Sequence, residues 1–181
     1  MQAWIEDVPP QENAAPVYQK AFGLYSKDDF DGWARKECYR ALNADEPLPE
    51  EPRAMLEEHL KANQAAIDAL YEASRYAQCS FPITLASEME LHHLRWLRTG
   101  RDLLWWKCLL SAMDGDSEEV SKALLATLAI GRSVRNEPLL SSQYMRDGVL
   151  RSAVESLKYA LSRVCFSDDA LADIQDALAD A

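Results

Sequence analysis

Apolar residues recur at helical spacing along most of this chain, and the longest such pattern lies between Leu85 and Val134. This segment contains Trp96 and the adjacent pair Trp105-Trp106, and the turn Asp114-Gly115-Asp116 divides it in two. Apolar positions three and four residues apart line one face of an α-helix, whereas a half-buried strand alternates at every second residue. The pattern therefore predicts a buried helical hairpin at the centre of the fold.

The same periodicity predicts helices on both sides of this hairpin, separated by proline-containing breaks. We expect helices over 11–25, 52–77, 87–113, 116–134 and 138–164, a shorter one over 33–42, and a last one that Ser167 caps. Residues 1–10 are expected to be irregular, and 43–52 to form a loop because three prolines lie there. The predicted fold is one all-α domain over 1–181, with five to six main helices packed as antiparallel hairpins.

Two local features of the hairpin carry further expectations. Gly100 costs about 1 kcal/mol relative to alanine in a helix interior, so we expect a neighbouring helix to approach it closely. Asp116 and Glu119 have the spacing of a capping box at the start of the second hairpin helix. Trp105 and Trp106 diverge by about 100° on a helix, so one is expected in the core while the other can reach a groove or a partner, although core positions for both are favoured.

Composition and charge exclude several classes of function. The net charge of −11 opposes binding to nucleic acid, whose phosphates require clustered lysine and arginine, although residues 59–113 are close to neutral. The sequence contains no phosphate-binding glycine loop, no dinucleotide fingerprint and no G-x-S-x-G elbow, so no cofactor and no catalytic residue are expected. No apolar run is long enough to cross a bilayer, and the segment after Met1 does not resemble a signal peptide.

The four cysteines show no spacing typical of a metal site. Cys38, Cys79, Cys108 and Cys165 lie far apart, and we expect them to be reduced and structural, with Cys108 and Cys165 among apolar residues within helices. Reduced thiols favour a cytoplasmic location. The alternative is an exported or anchored bacterial domain whose leader is not part of this sequence.

His92-His93 is the strongest candidate for a metal site. Glu90 and His93 have the i, i+3 relation that directs a carboxylate and an imidazole at one ion, and Glu88 lies nearby. A carboxylate-bridged bundle requires this motif twice, but Leu56 stands three residues before the remaining histidine, His59. We therefore favour hydrogen-bonded histidines at a helix entrance and expect no metal.

A second candidate site combines side chains from both ends of the hairpin. If those ends face each other, a cationic pocket could bind a carboxylate or a phosphate through residues His93, Arg95, Trp96, Arg98 and Arg132. The alternative is that these arginines pair with acidic side chains of neighbouring helices, while Arg132 offsets the helix dipole. We favour the second interpretation.

Several segments together are similar to an uncharacterised family of all-helical bacterial proteins. The matching stretches are Glu12-Asn13-Ala14-Ala15-Pro16-Val17-Tyr18, Cys79-Ser80-Phe81-Pro82, Leu91-His92-His93-Leu94-Arg95, Arg101-Asp102-Leu103-Leu104 and Glu137-Pro138-Leu139-Leu140-Ser141. The resemblance implies a helical domain that an Asn-Ala-Ala segment opens, a Gly-Asp turn between two central helices and a bacterial origin, and it implies no activity. The hairpin also resembles a single tetratricopeptide unit, whereas an array requires about three repeats.

The absence of catalytic signatures favours a non-catalytic helical module that binds a protein or a peptide. The first alternative is a protein that binds or senses a small anion through the Arg/His cluster. The second alternative is a metal-dependent enzyme, which the missing second motif makes the least favoured.

Overall fold

The computed structural model describes residues 8–26, 30–82 and 91–180, and these ranges form helices that pack against one another. No strand occurs in them, and one isolated bridge joins Asn13 to Gln78. The described helices are α1 Ala15–Leu24, α2 Gly32–Ala44, α3 Glu50–Ala62, α4 Gln64–Ala73, α5 His92–Met113, α6 Ser117–Ser133, α7 Leu140–Leu161 and α8 Asp168–Asp180. The predicted all-α single domain is confirmed, with eight helices in the described ranges rather than five or six main ones.

The central hairpin is formed by α5 and α6, and α7 packs against both. Gly115 in the turn between them has φ +77°, a left-handed conformation that glycine adopts without the steric cost of a Cβ. Leu97, Leu104, Leu124 and Ile130 from these helices are among the largest fully buried side chains. The hairpin predicted from the apolar pattern is confirmed.

Only the first half of the predicted capping box is formed at α6. Asp116 Oδ1 accepts a hydrogen bond from the Glu119 N–H at 3.0 Å, as expected for an N-cap. The Glu119 carboxylate does not return to Asp116, because it accepts a hydrogen bond from the Tyr71 hydroxyl at 2.9 Å, and the Asp116 N–H donates to the Ser111 carbonyl. Glu119 therefore links α6 to α4 instead of completing its own cap.

The single helix predicted over 52–77 is wrong, because Asn63 divides it into α3 and α4. Asn63 has φ −103° and ψ 9° and is 2 % exposed. Its Oδ1 accepts a hydrogen bond from the Ser26 N–H at 2.8 Å, and its Nδ2 donates to the His59 carbonyl at 2.9 Å. The loop predicted over 43–52 is also shorter than expected, since α2 continues to Ala44 and α3 begins at Glu50.

Close approach at Gly100 is confirmed. An ideal Cβ built on Gly100 would lie 2.6 Å from the Tyr25 hydroxyl oxygen and 3.2 Å from each δ-carbon of Leu70. Tyr25 follows α1 and Leu70 belongs to α4, so the missing side chain allows both segments to reach the α5 backbone.

The last helix docks where the sequence placed it. The Ser167 hydroxyl accepts a hydrogen bond from the Ala170 N–H at 3.2 Å, so the predicted cap is confirmed. Ile174 is 2 % exposed where α8 packs on α6. At the end of α8, Asp180 accepts a hydrogen bond from Arg135 at 2.6 Å.

The four cysteine thiols are free, and their environments differ. Cys38 and Cys108 are buried, and burial raises the pKa of Cys108 to about 12. The expectation that Cys165 lies in a helix among apolar residues is wrong, because α7 ends at Leu161 and Cys165 is exposed.

The helices α5 and α7 each have 22 residues, which matches the thickness of a bilayer in length alone. Charged side chains interrupt both helices at intervals of a few residues. Among the described residues, no helix combines the length and the apolar composition needed to span a membrane.

Candidate functional site

His93, the first of the predicted site residues, belongs to a buried polar cluster. Its Nε2 lies 2.9 Å from Glu137 Oε1 and 3.2 Å from Glu137 Oε2, and its ring stacks on Phe81 with 4.7 Å between centroids. The Ser142 hydroxyl donates to the same carboxylate. The His93 and Glu137 side chains are 12 % and 9 % exposed. The cluster joins the start of α5 to the α6–α7 connection and to the first turn of α7.

The geometry of this cluster does not suit nucleophilic catalysis. A serine nucleophile needs an imidazole between its hydroxyl and the carboxylate, whereas here the Glu137 carboxylate lies between Ser142 and His93. Burial and the nearby Glu137 raise the pKa of the Cys79 thiol to about 12, so it is protonated and unreactive at neutral pH. These groups therefore brace the helix ends.

Arg95, Trp96 and Arg98 lie on the exposed side of α5. The Arg95 guanidinium lies over the Trp96 ring at 5.4 Å, and this ring is 6.0 Å from that of Tyr25. Trp96 is 36 % exposed, so this tryptophan of the predicted buried hairpin is only partly buried. Part of its ring is therefore open to solvent.

Arg132, the last predicted site residue, satisfies backbone carbonyls at the end of α4. Its Nη2 donates to the carbonyls of Ser74 at 3.3 Å and Tyr76 at 3.1 Å, and its Nη1 donates to Asp180 at 3.4 Å. The cavity that Arg132 lines with Cys79 has a volume of about 10 Å³, room for about one water molecule. The N–H groups of His93 and Arg132 are thus already hydrogen-bonded within the protein, while Arg95 and Arg98 face solvent.

The metal candidate is only partly placed by the structure. Glu88 and Glu90 lie outside the described residues, and His93 binds Glu137. Within the described ranges, no group of three or more histidine, cysteine, aspartate or glutamate side chains could hold a metal ion.

A groove between α2, α3 and α5 brings together side chains that are distant in the sequence, and we call it the α2–α5 groove. Its volume is about 210 Å³, and it is lined by Ser26, Arg35, Tyr39, His59, Asn63, Thr99, Asp102, Leu103 and Trp106. Along α5, positions 99, 103 and 106 follow Trp96 at spacings of three and four residues, so all four lie on one strip of the helix. The partly exposed Trp96 therefore lies one helical turn before the α5 residues that line the groove.

Tyr39 and Trp106 are the aromatic residues that line the α2–α5 groove, and the Trp105 ring packs against both of them. The Tyr39 ring lies 5.2 Å from that of Trp105 and 5.0 Å from that of Trp106, and the two tryptophans are 4.5 Å apart in an edge-to-face arrangement. Trp106 is 4 % exposed and lines the groove, whereas Trp105 is only partly buried. The pair diverges as expected, but the buried member is the one that reaches the groove.

Polar groups complete the groove and keep its shape. Asn63 at the base is held by Ser26 and by the α3 backbone, as described above. Arg35 donates from Nη2 to the Phe30 carbonyl at 3.3 Å, and Asp102 accepts from Arg101 Nε at 2.9 Å. Burial and the Asp102 carboxylate raise the pKa of Tyr39, so its hydroxyl remains a hydrogen-bond donor at neutral pH.

Sequence reasoning missed most of this groove because its members come from three helices with no common motif. Arg35 and Tyr39 belong to the short helix α2, and Asn63 lies inside a segment that was predicted to be continuous helix. The available signal was the Trp105-Trp106 pair, for which a ring that reaches a groove was considered but core positions for both were favoured.

A second cavity, of about 400 Å³, lies between the α2–α3 loop, the α5–α6 turn and the end of α7. Its two arginines are already paired: Arg53 Nη2 lies 2.6 Å from Asp114 Oδ1, and Arg163 donates to Asp45. The Arg163 guanidinium also covers the Tyr159 ring at 3.6 Å. This cavity therefore presents neutralised charges and little free aromatic surface.

Comparison with protein-family models, with curated proteins and with solved structures finds no match to this chain. The similarity to an all-helical bacterial family and the tetratricopeptide-like pattern remain predictions from the sequence.

Proposed function

We propose that this protein is a non-catalytic helical module that binds a peptide, or a segment of another protein, in the α2–α5 groove. The observation that carries the proposal is the partly exposed aromatic surface around that groove: Tyr39 is 43 % exposed and Trp96 is 36 % exposed. Tryptophan and tyrosine supply much of the binding energy at protein interfaces, because a large rigid surface is buried at little cost in side-chain entropy.

The size of the groove suits one side chain of a partner better than a whole cofactor. Sites for small molecules and cofactors usually enclose about 300–1,000 Å³. The groove, with about 210 Å³, is smaller and is open along the α5 strip. An apolar anchor residue could pack in the groove against the Tyr39 and Trp106 rings, while Arg35, Thr99 and Asp102 offer polar contacts to a backbone.

The charge of the protein favours a basic partner segment. With a net charge of −11, the chain attracts positively charged ligands over a distance of about one Debye length. Asp102 places one carboxylate at the groove; it is paired with Arg101, but its side chain is 56 % exposed and remains accessible to a partner. We therefore expect a partner motif that combines one large apolar residue with neighbouring lysine or arginine.

The test is a selection of random peptides displayed on phage against the wild-type protein. The enriched sequences are synthesised and titrated by fluorescence anisotropy against wild type and Thr99→Arg, whose long side chain would fill the groove from a partly exposed helical position. A loss of affinity of about tenfold or more, equivalent to about 1.4 kcal/mol, is expected for Thr99→Arg. The matched control is Gln175→Arg, the same introduced side chain at an exposed position of α8, which should leave affinity unchanged. Absence of an enriched motif, or equal binding by Thr99→Arg, would refute the proposal.

The anion-binding alternative is tested on the same protein by thermal shift with phosphate and small carboxylates. A ligand present at 100 times its dissociation constant adds about 2.7 kcal/mol to stability. The contacts of His93 with Glu137 and of Arg132 with α4 carbonyls disfavour this alternative, because an anion would have to displace them. Stabilisation that is lost in Arg95→Ala and Arg98→Ala would instead support it.

A further inference from the structure

The outward side of α7 carries a regular seam of exposed residues. Seven exposed positions alternate at spacings of four and three residues, and we call them the α7 seam: Leu140, Tyr144, Asp147, Arg151, Val154, Lys158 and Leu161. Alternating spacings of four and three are those of the core positions of a coiled coil, where each residue packs against a facing helix. The spacing therefore places the seven side chains along one side of α7, in positions where a facing helix could pack against them.

Nothing within the described chain covers this seam. The opposite side of α7 contains Met145, Val149 and Ala153, which are buried where α7 packs on α5 and α6. On the seam, Tyr144 is 70 % exposed, Leu140 is 69 % exposed and Leu161 is 55 % exposed. Four apolar side chains thus line up on the solvent side of one helix of 22 residues, about 33 Å long.

The charges of the seam select its partner. In an antiparallel copy of α7, Tyr144 faces the partner's Leu161, Asp147 faces the partner's Lys158, and Arg151 faces the partner's Val154. Each apolar residue of the first pair then meets an apolar residue, and each charge of the second pair meets its opposite, twice by symmetry. A parallel copy would place each seam charge against the same charge, which is destabilising.

The charge of α7 also permits two copies to meet. The whole chain has a net charge of −11, which opposes self-association through most of its surface. Between Leu140 and Leu161, however, the sequence contains two acidic and three basic side chains. The Asp147 carboxylate already pairs with Arg151 of its own helix at 2.9 Å, so the partner's Lys158 would complete a small ionic network.

We propose that this protein forms a symmetric homodimer in which two α7 helices pack antiparallel along their seams. The dimer leaves the α2–α5 groove uninvolved, so this inference stands independently of the peptide-binding proposal.

Charge reversal tests the pairing. Sedimentation equilibrium on the full chain, from micromolar to sub-millimolar concentration at physiological ionic strength, should show dimers. Asp147→Lys and Lys158→Asp should each weaken self-association by about tenfold or more, because each places like charges together at two symmetric contacts. Mixing the two variants should restore dimers, since every pair at these positions is again of opposite sign.

The control variant is Glu118→Lys. It makes the same change of charge as Asp147→Lys and breaks an equivalent exposed i, i+4 pair, with Lys122 of α6, but it lies off the seam. It should leave self-association unchanged, and far-UV circular dichroism should show that all variants retain their helices. If either charge variant unfolds, Tyr144→Glu tests the same seam. A wild-type protein that stays monomeric, dimers that tolerate both charge variants, or a mixture that fails to reassociate would overturn the proposal.

Discussion

Gly100→Ala is expected to destabilise the protein, although alanine is the better helix former. The new Cβ would lie 2.6 Å from the Tyr25 hydroxyl oxygen and 3.2 Å from both δ-carbons of Leu70. The Tyr25 ring cannot retreat freely, because its centroid lies 6.1 Å from that of Phe22 and 6.0 Å from that of Trp96. The substitution therefore forces two packed side chains to move.

The magnitude follows from two opposing contributions. Replacing glycine inside a helix gains about 1 kcal/mol, whereas overpacking a close contact costs about 1–3 kcal/mol. Since a separation of 2.6 Å is far inside normal contact, the cost at Gly100 belongs to the upper part of that range. The free energy of unfolding should thus fall by about 1–2 kcal/mol, which lowers the melting temperature by about 2–8 °C for a chain of this size.

Tyr25→Phe provides the second half of a double-mutant cycle. The Tyr25 hydroxyl is buried without a hydrogen-bond partner among the described residues, and burial raises its pKa. Removing it should increase the free energy of unfolding by about 1 kcal/mol, because an unsatisfied hydroxyl no longer has to be desolvated. It also removes the shortest contact of the new Cβ, so Gly100→Ala should be nearly neutral in the Tyr25→Phe background.

Urea denaturation of the four proteins, followed by tryptophan fluorescence and far-UV circular dichroism, measures this coupling. We expect a coupling free energy of about 1–2 kcal/mol. Gly23→Ala is the control, because a Cβ there meets nothing within 4 Å and the change should be neutral or stabilising. A stabilising Gly100→Ala in the wild-type background, or coupling below about 0.5 kcal/mol, would refute the assignment of this contact.

Three further outcomes test other parts of the structure. Iodoacetamide at mildly alkaline pH should modify the exposed Cys165 quickly and the buried Cys108 only on unfolding, because burial raises the pKa of Cys108 to about 12. Equal rates of modification, measured by mass spectrometry, would contradict the burial of Cys108. Asn63→Ala should lower the free energy of unfolding by about 1–3 kcal/mol, since it removes the acceptor of a backbone N–H, and an unchanged urea midpoint would count against this role. Glu137→Ala should lower the free energy of unfolding by about 3 kcal/mol, because it leaves His93 without its partner. Glu137→Gln should lower it less in the same urea titration, because the amide can still form a hydrogen bond with His93.

The helices of this protein are largely determined by local patterns in the sequence. The spacing of apolar residues predicted the α5–α6 hairpin, and the capping residues Asp116 and Ser167 predicted where α6 and α8 begin. These signals work because the 3.6-residue period and the N-cap hydrogen bond depend on residues close together in the chain. The same locality explains the error at Asn63, whose helix-breaking contact is to Ser26, far away in the sequence.

The tertiary structure alone decided which side chains meet. Sequence reasoning could place His93 and Arg132 at adjoining ends of one hairpin, but the partners that use their donors, Glu137 and the α4 carbonyls, follow from packing between helices. The α2–α5 groove likewise exists only because three helices converge. A helix fixes the angle between its own side chains, whereas the pairing of one helix face with another depends on the fit of the whole core, and no local pattern in the chain encodes that fit.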